Sequence, residues 1–222
     1  MTTTYGQFCP VAMASEVLTE RWTPLVVREL LCGSTHFNDL RRGVPLMSPA
    51  LLSKRLKTLE RVGVVERRDG GYHLTPAGQE LRAVIESLGV WGQRWARGDV
   101  VAKHHDASLL MWDIHRNIVV AALPPRRVVV HFHLQGSRDR KSHFWLVLDA
   151  PTVDLCLTDP GHDVDLEVAG HISTMVDYWM GRTDFKTAVR AGDLDVFGPR
   201  TLVRALPTWF ARSDFADVPI PA

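Results

Sequence analysis

SPALLSKRLKTLERVG (Ser48–Gly63) interleaves basic side chains with four leucines, and its reading decides the fold of the first half of the chain. Ser48 before Pro49 marks a helix start. The hydroxyl can cap a free backbone N–H, and proline at the first helical position has no N–H to leave unpaired. Gly63 marks the stop, because glycine enters the left-handed region without steric cost. Between them Leu52, Leu56 and Leu59 recur at the i, i+4, i+7 spacing of one buried stripe. The opposite face then carries Ala50, Ser53, Lys54, Lys57 and Arg61. Taken alone, such a helix reads as solvated amphipathic surface. Its neighbours give it another role.

Upstream, VAMASEVLTE reads as a helix with Val11, Ala14, Val17 and Leu18 on one side, and PLVVRELLC as a second with Leu25, Val26, Leu30 and Leu31 inward. THFNDLRRG gives a short helix around Phe37 and Leu40 that ends near Gly43 and Pro45. Two short helices joined by a tight turn, the second presenting a polar and cationic face, make a helix-turn-helix. Downstream, VVERRDGGYHLT alternates as strands about a DGG turn, a β-hairpin or wing, with Arg67 and Arg68 at its base. A long helix follows from Thr75–Pro76, and Leu81, Val84, Ile85, Leu88, Trp91 and Trp95 form one broad apolar stripe along it. A small domain cannot cover all of that stripe. Leu88, Trp91 and Trp95 are expected at a homodimer seam, the alternative being a contact with the second half of the same chain.

At 222 residues the chain can hold one large or two ordinary domains, and 45% hydrophobic with 23% charged residues is a soluble, globular composition. No segment approaches the roughly 20 apolar residues of a membrane span, and no signal-peptide core opens the chain, so a cytoplasmic location without membrane contact is expected. Three widely spaced cysteines, Cys9, Cys32 and Cys156, indicate neither a disulfide framework nor a zinc site. The net charge of +1 is polarised: residues 1–97 carry 13 Lys+Arg against 9 Asp+Glu, and residues 98–222 carry 13 against 16. A basic first half suits a polyanion, and the second half does not.

The segments CPVAMASEVLTERWTPLVVRELLCG, HFNDLRRGVPLMSPALLSKRLKTLERVGVVERR and YHLTPAGQEL closely resemble the HxlR family of bacterial winged helix-turn-helix regulators over about residues 5 to 97. The sequence departs from that pattern in having His36, where a basic residue usually precedes the phenylalanine, and in a shorter wing. The resemblance implies a dimeric transcription regulator whose recognition helix is Ser48–Arg61 and whose partner is double-stranded DNA. Physical chemistry agrees. Ser48, Ala50, Ser53, Lys54 and Lys57 fall where a helix in the major groove meets base edges. Arg41, Arg42, Arg61, Arg67 and Arg68 are better placed for phosphates, which set affinity and register. In some members of the resembled family a cysteine at the place of Cys9 senses electrophiles or oxidants. Cys9 beside Pro10 stands at a helix start, where the dipole favours a thiolate, although a small residue anchoring the N-terminal segment is an equal reading.

Gly98 to Asp106 reads as a charged joint, giving domains 1–97 and 98–222. ASLLMWDIHRNIVVAAL is expected as a helix closed by Pro124–Pro125. RRVVVHFHLQ and SHFWLVLDAP then alternate as strands, followed by TVDLCLTD and DVDLEVAG. HISTMVDYWMG, DFKTAVRAG, a short LDVFG and PRTLVRALPTWF complete the chain. Strands first and helices afterward indicate an α+β layer fold. The order resembles the sterol carrier protein type 2 fold, most firmly over Val164 to Phe210. That resemblance implies a five-stranded sheet whose helices enclose an apolar tunnel for a small apolar effector. Its lining candidates are Trp112, Phe132, Phe144, Leu146, Met175, Trp179, Phe197, Trp209 and Phe210, each of which also reads as plain core.

His131 and His133 share a strand face with His143 near by, but no fixed further ligand accompanies them, so no metal is expected. The run Asp159, Asp163, Asp165, Glu167 lacks the spacing of a calcium loop. No nucleophile elbow, phosphate loop or catalytic carboxylate pair stands out, so neither an enzyme nor a cofactor is expected. The combined reading is a sequence-specific DNA-binding regulator modulated by an apolar ligand. The alternative is a lipid or small-molecule binding protein whose winged helix serves protein contacts.

Overall fold

A computed structural model describes residues 4–96 and 105–219. The chain divides into two compact units, Met1–Gly89 and Val90–Ala222. The division falls within a continuous helix, and most of the charged joint expected from Gly98 lies outside the described residues.

The first unit comprises α1 (Pro10–Leu18), α2 (Thr23–Leu31), α3 (Phe37–Gly43), α4 (Pro49–Arg61), β1 (Val65–Arg68), β2 (Gly71–Leu74) and the start of α5 (Pro76–Trp95). The Ser48 side chain accepts a hydrogen bond from the Leu51 N–H at 3.3 Å, and Gly63 has φ +75°, so α4 starts and stops where its sequence directs. Leu52, Leu56 and Leu59 are fully buried against Val26, Val27, Leu30, Leu40, Val44 and Met47. The buried residues of α2 are Thr23, Val26, Val27, Glu29 and Leu30, and the first three with Leu30 form a single 3.6-residue stripe. Leu25 falls off that stripe and is exposed, contrary to expectation, and Val27 takes its place. The β1–β2 hairpin turns through Asp69 and Gly70, both at positive φ (51° and 76°), as a tight primed turn requires. Thr75 closes the unit: its hydroxyl donates to the Gly63 carbonyl at 2.6 Å and accepts from the Gly78 N–H at 3.2 Å, which starts α5 beside the end of α4.

The second unit is α+β. After α6 (Ala107–Arg116) come β3 (Val128–Gln135), β4 (His143–Asp149), β5 (Thr152–Cys156) and β6 (Leu166–His171), then α7 (Ile172–Trp179), α8 (Phe185–Ala191), β7 (Leu194–Phe197) and α9 (Arg200–Trp209). The five strands lie in the order β5-β4-β3-β6-β7, antiparallel except for the parallel β3–β6 pair. Alternation sends Val128, Val130, Phe132 and Leu134 of β3, with Phe144, Leu146 and Leu148 of β4, into one apolar core. The four helices contribute Met111, Ile114, Met175, Trp179, Phe185, Leu206 and Trp209 to the same core.

Two expectations need correction. The first helix of this unit stops at Arg116 instead of running on to the prolines. Ile118 forms a β-bridge with Phe210, and the Val119 N–H donates to the Trp209 carbonyl at 2.8 Å, so a distant segment draws the β-branched run Ile118–Val120 out of the helix. Strands also do not all precede helices: Leu194–Phe197 is an edge strand between α8 and α9.

Candidate nucleic-acid interface

α3 and α4 are joined by a turn at residues 44–48 in which Val44 and Met47 are buried and Leu46 is exposed, so packing of the two buried residues sets the angle between the helices. Exposed on α4 are Ala50, Lys54, Lys57 and Arg61, with Ser53 half-buried beside them. Ser48 is exposed as well, but its oxygen already caps the helix. These residues share one side of one helix, so small, hydroxyl and cationic groups are displayed together.

Arg55 departs from its basic neighbours. Its guanidinium pairs with the Glu20 carboxylate, and its Nε donates to the Arg21 carbonyl at 3.3 Å, so it braces α4 against the α1–α2 turn. A second brace lies deeper. Glu29, with no exposed surface, pairs with Arg28, and the Arg28 guanidinium reaches the Gly43 carbonyl at 3.3 Å. Sequence reading passed over both, because a charged side chain in an amphipathic helix reads as surface. The available signal was that Glu29 adjoins Leu30 on the buried flank of α2.

Arg41 and Arg42 are exposed at the end of α3, with Arg42 Nη1 3.5 Å from Asp39 Oδ1. Arg67 and Arg68 are exposed on β1, but at the tip of the hairpin and not its base, since Arg68 pairs with Gly71 directly across the turn. The Arg67 guanidinium lies 4.6 Å from the centre of the Tyr72 ring. Arg68 stands 3.4 Å from Glu66 and 3.8 Å from Asp69, which dilutes its positive charge at the tip. The face of α4 is the stronger anion-seeking element.

The HxlR-like helix-turn-helix family matches residues 17–99. The uncharacterized HTH-type transcriptional regulator YvaP of Bacillus subtilis (strain 168) is 34% identical over 98 residues, which span 40% of this chain and 91% of that protein. The chain belongs to the HxlR-like helix-turn-helix family. The HTH-type transcriptional regulator YodB of the same organism is 31% identical over 104 residues, covering 43% of this chain and 93% of the relative. Among solved structures, quinone-bound YodB from B. subtilis is 34% identical, covers 38% of this chain and 97% of its own, and has a TM-score of 0.36. Membership makes DNA the partner of the helix-turn-helix and fits a regulator, in keeping with relatives named as transcriptional regulators and not as enzymes. No described helix is long and apolar enough to cross a membrane.

Outside the helix-turn-helix, α5 buries Ile85 and half-buries Leu81 but leaves Leu88, Trp91 and Trp95 exposed at 52%, 61% and 60%. α1 buries none of its residues: Val11 and Met13 stand exposed on it, and Phe8 is exposed just before it. Cys9 occupies the N-cap position of α1 and is exposed; the nearby backbone N–H groups of Ala12 and Val11 hold its thiol below the usual thiol range.

Of the lining candidates in the second unit, Phe132, Phe144, Leu146, Met175, Trp179, Trp209 and Phe210 share one apolar cluster, with the Phe132 and Phe210 ring centres 6.0 Å apart. Trp112 is buried apart from that cluster, stacked on His115 at 5.2 Å. Phe197 is 60% exposed and cannot wall an enclosed interior; strand alternation puts it on the outer face beside Glu167. That outer face also holds His131, His133 and His143, with His131 Nε2 2.9 Å from His143 Nδ1. Among the described residues no three His, Cys, Asp or Glu side chains are grouped to hold a metal ion.

Proposed function

We propose that the protein is a homodimeric, sequence-specific DNA-binding transcription regulator in which residues 1–97 read DNA and residues 98–222 form a sterol-carrier-like domain for a small apolar effector. The observation that carries the DNA reading is the division of α4 into a fully buried leucine stripe and an exposed face of Ala50, Ser53, Lys54, Lys57 and Arg61, in a chain of this family. Ser53, Lys54 and Lys57 contact base edges; Arg41, Arg42, Arg61, Arg67 and Arg68 contact phosphates. The dimer reading rests on the apolar residues Leu88, Trp91 and Trp95 of α5, which the packing within each unit leaves exposed. The effector reading rests on the aromatic core around Phe132, Trp179, Trp209 and Phe210.

The mechanism is linkage: an effector that prefers one arrangement of the two recognition helices shifts DNA affinity, and DNA shifts effector affinity by the same factor. Cys9 offers a second input, since an exposed, pKa-lowered thiol at a helix start reacts readily with electrophiles. Sequencing the genomic fragments retained by the purified protein tests the central claim. A shared motif with two-fold symmetry is the expected result. Retention without any motif would remove sequence specificity, and no retention, or binding with a flat response to salt, would leave the helix-turn-helix as a protein-contact module.

A further inference from the structure

The second half of the chain is net acidic, yet the β3–β4 loop gathers three exposed cations, Arg138, Arg140 and Lys141, within four residues. Elsewhere in this unit Arg126, Arg127, Arg182 and Arg212 each pair with an aspartate. The exposed Lys186, Arg190, Arg200 and Arg204 are spread over two helices, so the crowding of three cations into four residues is what sets the loop apart. None of the three loop cations makes a salt bridge among the described residues.

The one carboxylate of the loop is turned inward. Asp139 accepts hydrogen bonds from the hydroxyls of Ser108 and Ser137 and, at 3.3 Å, from the Lys141 N–H. Ser137 in turn accepts from the Ala107 N–H at 2.9 Å, and the Arg138 N–H donates to the His105 carbonyl at 2.9 Å. The loop is thereby tied to the first turn of α6 at His105, Ala107 and Ser108. At its root Gly136 (φ +76°) lies against the His171 ring, which fills the space a Cβ would need. On the strands beside the loop stand His133 and His143, paired across β3 and β4 with ring centres 4.5 Å apart.

An inward aspartate and outward cations on a fixed loop make a preordered display, which lowers the entropy lost on binding. Consecutive cations on a hairpin turn suit a row of phosphates better than a single small anion, which calls for converging donors. We propose that the β3–β4 loop is a second backbone-phosphate contact, engaging duplex DNA outside the base-reading site through Arg138, Arg140 and Lys141. This rests on the DNA-binding reading above.

The test uses the full chain and two duplexes that share the retained core sequence, one extended by about 10 base pairs, one helical turn, on each side. Wild type should bind the extended duplex more tightly, with a log–log salt slope steeper by about 5, as expected when each of two protomers neutralises three phosphates. The triple variant Arg138→Ser, Arg140→Ser, Lys141→Ser should bind the core duplex like wild type but lose both the flank gain and the added slope. Lys54→Ala should do the reverse, losing core affinity and keeping the flank gain. A triple variant with an undiminished flank gain and slope overturns the loop contact while leaving the DNA reading intact. Failure of wild type to bind either duplex overturns both. An unchanged melting temperature for the triple variant excludes misfolding as the cause of a loss.

Discussion

The α-carbon of Gly43 faces the buried carboxylate of Glu29 so closely that a Cβ at position 43 would fall inside it. Glycine is thus required at the end of α3 by packing, since its backbone there needs no positive φ. The same carboxylate holds Arg28, whose guanidinium reaches the Gly43 carbonyl, so one residue locks the entry to the turn before α4.

Gly43→Ala should therefore destabilise the protein by overpacking, by about 1–3 kcal/mol, and should weaken DNA binding although residue 43 touches no base. Urea denaturation followed by far-UV circular dichroism measures the first effect. A variant as stable as wild type would mean that Glu29 moves aside freely.

Lys54→Ala should cost about 1–3 kcal/mol of specific affinity and relax base preference, whereas Arg68→Ala should weaken every sequence about equally. The effect at Arg68 should be the smaller, because Glu66 and Asp69 already sit beside its guanidinium. Fluorescence anisotropy against the retained duplex and a scrambled one separates the two patterns. Unaltered discrimination in Lys54→Ala would remove that residue from the base-reading set.

Helix α4 was readable because its signals are local: a serine cap, a proline, a glycine stop and one leucine stripe, all within sixteen residues. What escaped reading depends on distant partners. Glu29 reads as surface until Arg28 and Gly43 are placed around it. The end of α6 is decided by Ile118 meeting Phe210, a residue more than ninety positions away. Phe197 reads as an aromatic wall, yet its strand pairs at the sheet edge in a register that turns it outward with Asp195. Arg67 and Arg68 were sound as exposed cations, but their distance from the turn followed from hairpin register, which a four-residue strand leaves loosely specified.

The exposed seam of α5 sets a further expectation. Leu88→Glu should yield monomers that lose DNA affinity, since two half-sites about 34 Å apart need two recognition helices held together. Sedimentation velocity at micromolar concentration gives the answer. Wild type sedimenting as a monomer would count against the dimer and against Leu88, Trp91 and Trp95 as its seam.

Acid should weaken the second unit through His131. Burial lowers the pKa of its imidazole, His143 and His133 lower it further, and Glu167 and Asp159 oppose them. Burial likewise lowers that of His105. A base whose folded pKa lies below its unfolded value of about 6.5 leaves the folded state binding fewer protons. The associated stability is complete above that unfolded value and is lost as pH falls toward the folded pKa. Melting temperature should thus decline as pH falls below about 6.5, and His131→Gln should flatten the decline. Parallel curves for variant and wild type would assign the acid sensitivity to other groups.

The effector reading makes the most exposed claim. Phe132, Met175, Trp179 and Trp209 are almost wholly buried in one core, and rings of that size bury large apolar area whether or not they border a ligand. What separates a carrier from a filled core is response to ligand. Small apolar molecules should quench tryptophan emission and raise the melting temperature with concentration, about 2.7 kcal/mol being gained at a hundredfold excess over Kd. Met175→Trp should fill part of such a site and abolish both effects with the fold retained by circular dichroism. Emission and melting temperature that ignore a panel of fatty acids, sterols and aromatic hydrocarbons would make residues 98–222 a domain held together by its aromatic core and not built around a ligand.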